Sequence, residues 1–167
     1  MKKIVTISAV VLMSVTQFAG TALAEDAPVD AKRLYAGGGF GFNSIPGGGS
    51  ATGVQLLGGY DFKFKLNEDI STALEIGYMD SGSFDRYKGG KSNSNAKGVW
   101  AAALESVPLS NKTDMLVRLG YDFGKDDGVL LGTGLQYKFD TRVAFRMEYI
   151  ARQNVNSLQA NILFKFK

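Results

Sequence analysis

The alternation of apolar and polar positions is the clearest signal along this chain. Between Val143 and Arg152, every second residue from Val143 to Ala151 is apolar, and the intervening positions include Arg146 and Glu148. A period of two predicts a β-strand with one apolar and one polar face. By itself the pattern fits two arrangements. The apolar face packs into a soluble core, or it faces lipid while the charges point into the lumen of a barrel.

The same period recurs from Leu34 onward and is interrupted at fairly even intervals by turn-forming residues. The eight predicted strands are Arg33–Phe42, Gly53–Phe64, Ile70–Met79, Lys97–Val107, Met115–Phe123, Val129–Phe139, Arg142–Ala151 and Ser157–Phe166. Their lengths are close to the ~9–11 residues that a tilted strand needs to cross a bilayer, and they exceed the ~5–6 residues typical of globular strands. We therefore predict an all-β fold, an eight-stranded antiparallel up-and-down transmembrane β-barrel, with a soluble exported barrel as the alternative.

The outward aromatic residues are predicted to lie at two heights when the strands run up and down from a periplasmic N-terminus. The expected upper girdle is formed by Phe40, Phe42, Tyr78, Tyr121, Phe123 and Tyr149. The expected lower girdle is formed by Phe62, Phe64, Tyr137, Phe139, Phe145, Phe164 and Phe166. Ring side chains prefer the membrane interface, so this sorting favours the lipid-facing arrangement. It places Arg146 and Glu148 inside the barrel, where they avoid the ~2–4 kcal/mol cost of an Arg at the bilayer midplane.

Charged residues on the inward faces predict a network in the interior. Its expected members are Glu75, Arg118, Arg146 and Glu148, helped by Asp61 and Lys63. Eight strands leave an interior wide enough for side chains or one small ligand. Two interpretations stay open: a polar core that holds the strands in register, and a charge gate across a narrow water path.

The N-terminal segment predicts a cleaved secretory signal peptide over residues 1–24. Lys2 and Lys3 form a basic start, an apolar run follows, and Ala22-Leu23-Ala24 provides a small-x-small cleavage site. Residues 25–167 are then expected to form one outer-membrane β-barrel domain. Without Lys2 and Lys3 the chain carries 17 basic and 16 acidic side chains, which argues against a nucleic-acid partner.

The composition narrows the chemistry further. The chain has no Cys and no His, which excludes a disulfide framework, imidazole metal sites and His-dependent catalytic triads. No Ser stands in a recognisable nucleophile motif. We expect no enzymatic activity, no cofactor and no metal.

The longest predicted outer loop, Asp80 to Ala96, is basic. Arg86, Lys88 and Lys91 lie in it and are candidates for contact with lipopolysaccharide phosphates or an acidic host polymer. A solvated loop without a ligand is the alternative.

Several short stretches suggest a family: "LEIGY" from Leu74, "GVWAAALESVPLSNKTDMLVRLGYD" from Gly98, "GTGLQYKFDTRVAFRMEY" from Gly132 and "SLQANILFKFK" from Ser157. Their order and spacing resemble the transmembrane domain of OmpA-type outer-membrane proteins. The resemblance implies a monomeric barrel in the outer membrane, inserted by the barrel assembly machinery and surrounded by outer-membrane lipid and lipopolysaccharide. Well-known members carry a further peptidoglycan-binding domain and usually end their barrel on an aromatic residue, whereas here Lys167 follows Phe166.

The resemblance also implies interior partners. The family's inward Glu on the third strand and Arg on the seventh match Glu75 and Arg146, while a second Lys–Glu pair is replaced by Leu104 and Gln136. Placing Leu104 inside turns Glu105 towards lipid. Burial cost alone would instead place Glu105 inside and Trp100 outside, and a bulge would reconcile the two. The register of the fourth strand therefore stays open, and no role is assigned to Glu105.

The expected function is that of a structural, surface-exposed envelope protein, with adhesion or host contact through the outer loops. The alternative is a narrow, low-conductance channel gated by the Glu75–Arg146 ion pair. The sequence names no host receptor or other surface ligand.

Overall fold

The computed structural model describes residues 30–46, 49–62, 70–84 and 94–166. A 3-10 turn, Ala31–Arg33, precedes eight strands: β1 (Leu34–Ile45), β2 (Gly49–Asp61), β3 (Ser71–Phe84), β4 (Ser94–Pro108), β5 (Thr113–Asp122), β6 (Gly128–Lys138), β7 (Val143–Ala151) and β8 (Asn156–Lys165). Within these ranges no helix is long and apolar enough to cross a bilayer. The predicted signal peptide and the predicted site residues Lys63, Phe64, Arg86, Lys88 and Lys91 lie outside the described residues.

The eight strands form a closed barrel. Each strand pairs antiparallel with the next, and β1 closes the sheet on β8 from Tyr35 opposite Lys165 to Ser44 opposite Asn156. Closure leaves no open sheet edge, which is the condition for a sheet to be stable in lipid. The predicted eight-stranded antiparallel fold is confirmed.

The first four strands continue farther than the alternation predicts. β1 reaches Ile45 and β2 begins at Gly49, so most of the predicted loop from Asn43 to Thr52 is paired strand. β3 likewise reaches Phe84 after a register shift between Asp80 and Ser83. The period-two signal fades there, and the ladder continues through backbone pairing together with inward contacts: Asn43 Nδ2 donates to the Ser81 carbonyl at 2.8 Å, and Phe84 and Ala96 belong to a small apolar cluster.

The faces of the strands alternate as the sequence predicts. On β7, Arg146, Glu148 and Ile150 are buried, whereas Met147 and Tyr149 are exposed. The charged face therefore points into the barrel and the apolar face points outward.

The described aromatic residues of both predicted girdles lie on outward positions of their strands. Phe62 and Phe145 are half-buried, and the remaining members are exposed: Phe40, Phe42, Tyr78, Tyr121, Phe123, Tyr149, Tyr137, Phe139, Phe164 and Phe166. Exposing so many aromatic rings to water would be unfavourable, so this outer surface is suited to contact with lipid.

Candidate functional site

A four-residue ion-pair cluster lies in the barrel interior. Glu75 on β3 accepts from Arg118 Nη2 at 2.6 Å through Oε2 and from Arg146 Nη1 at 2.6 Å through Oε1. Glu148 Oε2 lies 3.0 Å from Arg118 Nη2 and 3.8 Å from Arg146 Nη1. All four side chains are at most 2% exposed. Two carboxylates face two guanidinium groups, so the cluster is balanced in charge.

Three further side chains complete the cluster. The Tyr35 hydroxyl donates to Glu75, and Gln136 Oε1 accepts from Arg146 Nε and Nη2 at 3.1 and 3.0 Å. The Arg118 guanidinium lies 4.7 Å from the centre of the Trp100 ring, a favourable cation–π distance. The sequence assigned no partner to Tyr35 or Trp100. The register of the fourth strand, and with it the face of Trp100, stayed open in the sequence analysis, and the alternation does not show which strand either ring faces.

Two glycines make room for these rings. A Cβ added at Gly59 would lie 2.2 Å from Tyr35 Cζ, and one added at Gly77 would lie 2.4 Å from Trp100 Cζ2. Real side chains do not approach so closely, so each ring occupies the volume that the glycine leaves free.

The rest of the interior contains more apolar packing than the sequence analysis anticipated. The buried inward-facing apolar side chains include Leu57, Met79, Trp100, Leu104, Leu116, Leu130, Ile150 and Leu163. Together with the ion-pair cluster they fill the narrow cross-section that eight strands enclose. This packing does not favour a continuous water path, and so it does not favour the gated-channel interpretation.

The expectation for Asp61 needs correction, because this residue does not join the central cluster. Gly59 is the β2 residue opposite Glu75, and Asp61 follows two positions farther towards the end of the barrel. There its Oδ2 lies 2.6 Å from Lys165 Nζ. Alternation gives the face of a residue but not the height at which it meets a partner across the lumen.

The fourth strand is in the register that places Leu104 inside. Trp100 and Leu104 are 0% and 1% exposed within the interior, and β4 pairs with β5 from Trp100 to Pro108 without a register shift. Glu105 therefore lies on the opposite face, where its oxygens accept from the Thr72 hydroxyl at 3.0 and 3.1 Å. The cost argument for an outward Trp100 fails because the indole packs against Arg118.

A second set of contacts ties the outer ends of the strands together. Asp122 on β5 lies 3.2 Å from Arg152 Nε, and Arg152 Nη1 donates to Ser157 Oγ at 2.9 Å. The Ser157 hydroxyl donates to Asn43 Oδ1 at 2.5 Å. These contacts link β5, β8 and β1 above the central cluster.

Asp126 joins two outer turns. Its carboxylate accepts from the backbone N–H groups of Asn154 and Val155, both at 3.0 Å, and from Asn154 Nδ2 at 2.6 Å. The turn between β5 and β6 is thereby fastened to the turn between β7 and β8. The sequence placed Asp126 in a turn but gave no sign of this partner.

Comparisons with known proteins agree with this architecture. The sequence model of the outer membrane protein beta-barrel domain matches residues 6–162. A de novo designed transmembrane β-barrel aligns over 86% of this chain and 100% of its own, at 16% identity and a TM-score of 0.54. Ail of Yersinia pestis, the attachment invasion locus protein, aligns over 80% of this chain and 97% of its own, at 13% identity and a TM-score of 0.54. That Ail structure contains the heparin analogue sucrose octasulfate. No curated protein sequence matches the chain.

Proposed function

Because the chain belongs to the outer membrane protein beta-barrel family, we propose that it is a structural envelope protein that makes adhesive or host contacts through its outer loops. In this proposal the barrel interior stabilises the fold, and the exposed outer end carries the activity.

The observation that carries the proposal is the ordered outer end of the barrel. Phe84 of β3, Ala96 of β4 and Val155 of the turn between β7 and β8 form a small apolar cluster, separate from the main interior cluster. Ile45 and Ala51, from the extensions of β1 and β2, pack against it. This cluster packs together the described strand ends from which the outer loops leave, and strand ends that are already ordered lower the entropy cost of binding a partner there.

The chemistry of the contact is inferred from the basic loop that joins β3 to β4. Arg86, Lys88 and Lys91 belong to this loop in the sequence, and cationic side chains favour sulfate and phosphate groups. Ail was solved with a sulfated heparin analogue, which makes a sulfated polymer a reasonable first ligand to test. We therefore propose sulfated or phosphorylated polymers as the partner class, with lipopolysaccharide as a neighbour in the membrane.

The remaining parts of the proposal concern biogenesis. We infer export in a Gram-negative cell through a signal peptide cleaved after Ala24, insertion by the barrel assembly machinery, and a monomeric OmpA-type barrel in the outer membrane. No nucleic-acid, cofactor or catalytic role is proposed.

The test is binding of the purified barrel to immobilised heparin. The variant Lys88→Gln/Lys91→Gln removes two charges from the loop, and the control Lys32→Gln/Lys112→Gln removes two exposed charges from the opposite end. We expect the loop variant to bind several-fold more weakly while the control matches the parent, with a strong salt dependence. Equal binding by both variants, or no binding by the parent, would contradict the proposed contact.

A further inference from the structure

A cavity of about 310 Å³ opens at the end of the barrel opposite the outer loops. Tyr35 and Arg146 of the central cluster form its inner end, and Leu104 and Leu163 contribute to its apolar walls. This volume is at the lower end of the range of small-molecule sites, which is ~300–1,000 Å³. The cavity is thus large enough for a small organic ligand with an apolar part.

Three cationic residues from adjacent elements converge at the mouth of this cavity. Lys138 ends β6, Arg142 lies in the turn before β7, and Lys165 ends β8. Lys138 is paired with Ala144 in the ladder, and the Lys165 backbone N–H donates to the Arg142 carbonyl at 2.8 Å. The three side chains therefore neighbour one another on consecutive parts of the barrel wall.

The two lysines already have carboxylate partners. Lys138 Nζ lies 2.7 Å from Asp114 Oδ2, and Lys165 Nζ lies 2.6 Å from Asp61 Oδ2. Each ammonium group has three donors, so one close acceptor does not exhaust either lysine.

Arg142 differs from both lysines. Among the described residues it forms no ion pair, and its side chain is exposed at the mouth of the cavity. The nearby Asp140 is engaged by its own turn, since its Oδ1 accepts from the backbone N–H groups of Arg142 and Val143 at 2.6 and 2.8 Å. These two backbone hydrogen bonds lower the pKa of Asp140. The charge of Arg142 also lowers the pKa of Asp140, but the five N–H donors of Arg142 form no ion pair with a described residue and are available to a ligand.

We propose that this cavity binds small monocarboxylates with an apolar body, with Arg142 as the bidentate partner of the carboxylate. The planar fork of a guanidinium matches two carboxylate oxygens. Asp61 and Asp140 line the cavity beside its cations, so the selectivity arises from this geometry and from the apolar walls of Leu104 and Leu163 rather than from a broad positive field. The site is distinct from the outer loops and would take ligands from the periplasmic side.

The probe is benzoate, and benzamide is a neutral compound of nearly the same shape. Binding of each compound to the purified barrel in nanodiscs is measured by NMR. Saturable benzoate shifts are expected at Ser106 and Ala144, which line the cavity. Loss of a charged hydrogen-bond partner weakens binding by about tenfold or more. We therefore expect the parent to bind benzamide at least about tenfold more weakly than benzoate, and Arg142→Gln to bind benzoate at least about tenfold more weakly than the parent does. Lys112→Gln, a charge removed from a neighbouring turn outside the cavity, should bind benzoate like the parent.

Two further measurements separate the parts of the proposal. Ala144→Leu narrows the cavity without touching a charge and should also weaken benzoate binding. Inorganic phosphate tests a bare anion and should bind more weakly than benzoate. Benzoate and benzamide binding equally, Arg142→Gln binding like the parent, or phosphate binding as tightly as benzoate would each overturn the proposal.

Discussion

Replacing Glu75 by Gln removes one charge from the centre of the barrel while keeping the size of the side chain. Glu75 is fully buried and receives hydrogen bonds from Tyr35, Arg118 and Arg146. The substitution leaves two buried guanidinium groups facing only Glu148. The perturbation is therefore an unbalanced buried charge rather than a cavity.

The expected loss of stability follows from that imbalance. Removing one partner of a buried ion pair typically costs ~3–5 kcal/mol because the remaining charge is left desolvated. The Gln amide retains one acceptor oxygen, which places the expected loss near the lower end, about 3 kcal/mol. That loss corresponds to a decrease of about a hundredfold in the folding equilibrium constant.

The natural probe for this measurement is Trp100, since it is the only Trp in the chain and its ring packs on Arg118. Urea unfolding of the parent and Glu75→Gln in the same lipid, followed by Trp fluorescence, gives the two free energies of unfolding. The double variant Glu75→Gln/Arg146→Gln provides the control, because removing Arg146 should cost less once Glu75 is gone.

The reasoning would be refuted if Glu75→Gln unfolded within about 1 kcal/mol of the parent, the range of an exposed ion pair. It would also be refuted if the two substitutions added independently. Either result would mean that water or another group screens the cluster and that its charges do not act as a unit.

Three further substitutions test other parts of the structure. Gly77→Ala should displace the Trp100 ring, lower stability by ~1–3 kcal/mol and shift the Trp emission, whereas an unchanged spectrum would contradict the tight contact. Asp126→Asn should speed hydrogen exchange at the Asn154 amide by weakening its acceptor, and unchanged exchange would show that the two outer turns are held by other contacts. Asp140 has a pKa lowered from its ordinary value of 3.8, so its charge stabilises the fold above that pH and the contribution disappears as the pH falls through the lowered value. Asp140→Asn should therefore be less stable than the parent at neutral pH, and urea midpoints should converge in acid.

The fold followed from the sequence because a period of two identifies both the strand and its faces. β7 shows this directly, since Arg146 and Glu148 alternate with Met147 and Tyr149, and the same parity places Glu75 and Arg118 inside as predicted. The lengths of the segments and the heights of their aromatic residues then distinguished a lipid-facing barrel from a soluble one.

Strand ends and lateral partners were harder to predict, for physical reasons. Asn43 and Ser44 are held in β1 by backbone pairing and by hydrogen bonds of the Asn43 side chain, and neither leaves a hydrophobic pattern in the sequence. Asp61 has the correct parity for the central cluster, but the stagger of the strands carries it to Lys165. Such stagger belongs to the closed sheet and cannot be read from any one segment.

Trp100 shows how a local cost estimate failed. The estimate compared an outward indole with an outward carboxylate and placed Glu105 inside. It omitted the stacking of Trp100 on Arg118 and the hydrogen bond that Thr72 gives to Glu105. Both partners come from other strands, so neither could enter an argument made on β4 alone.

The central claim is that the interior is a packed structural core and that the protein acts through its outer surface. Planar-bilayer recording of the inserted barrel, with Glu75→Gln beside the parent, tests this claim most directly. We predict that both proteins insert, as shown by protease protection, and that the parent produces no discrete conductance steps. Reproducible steps in the parent that change in size or lifetime in Glu75→Gln would contradict the account and assign the function to the lumen.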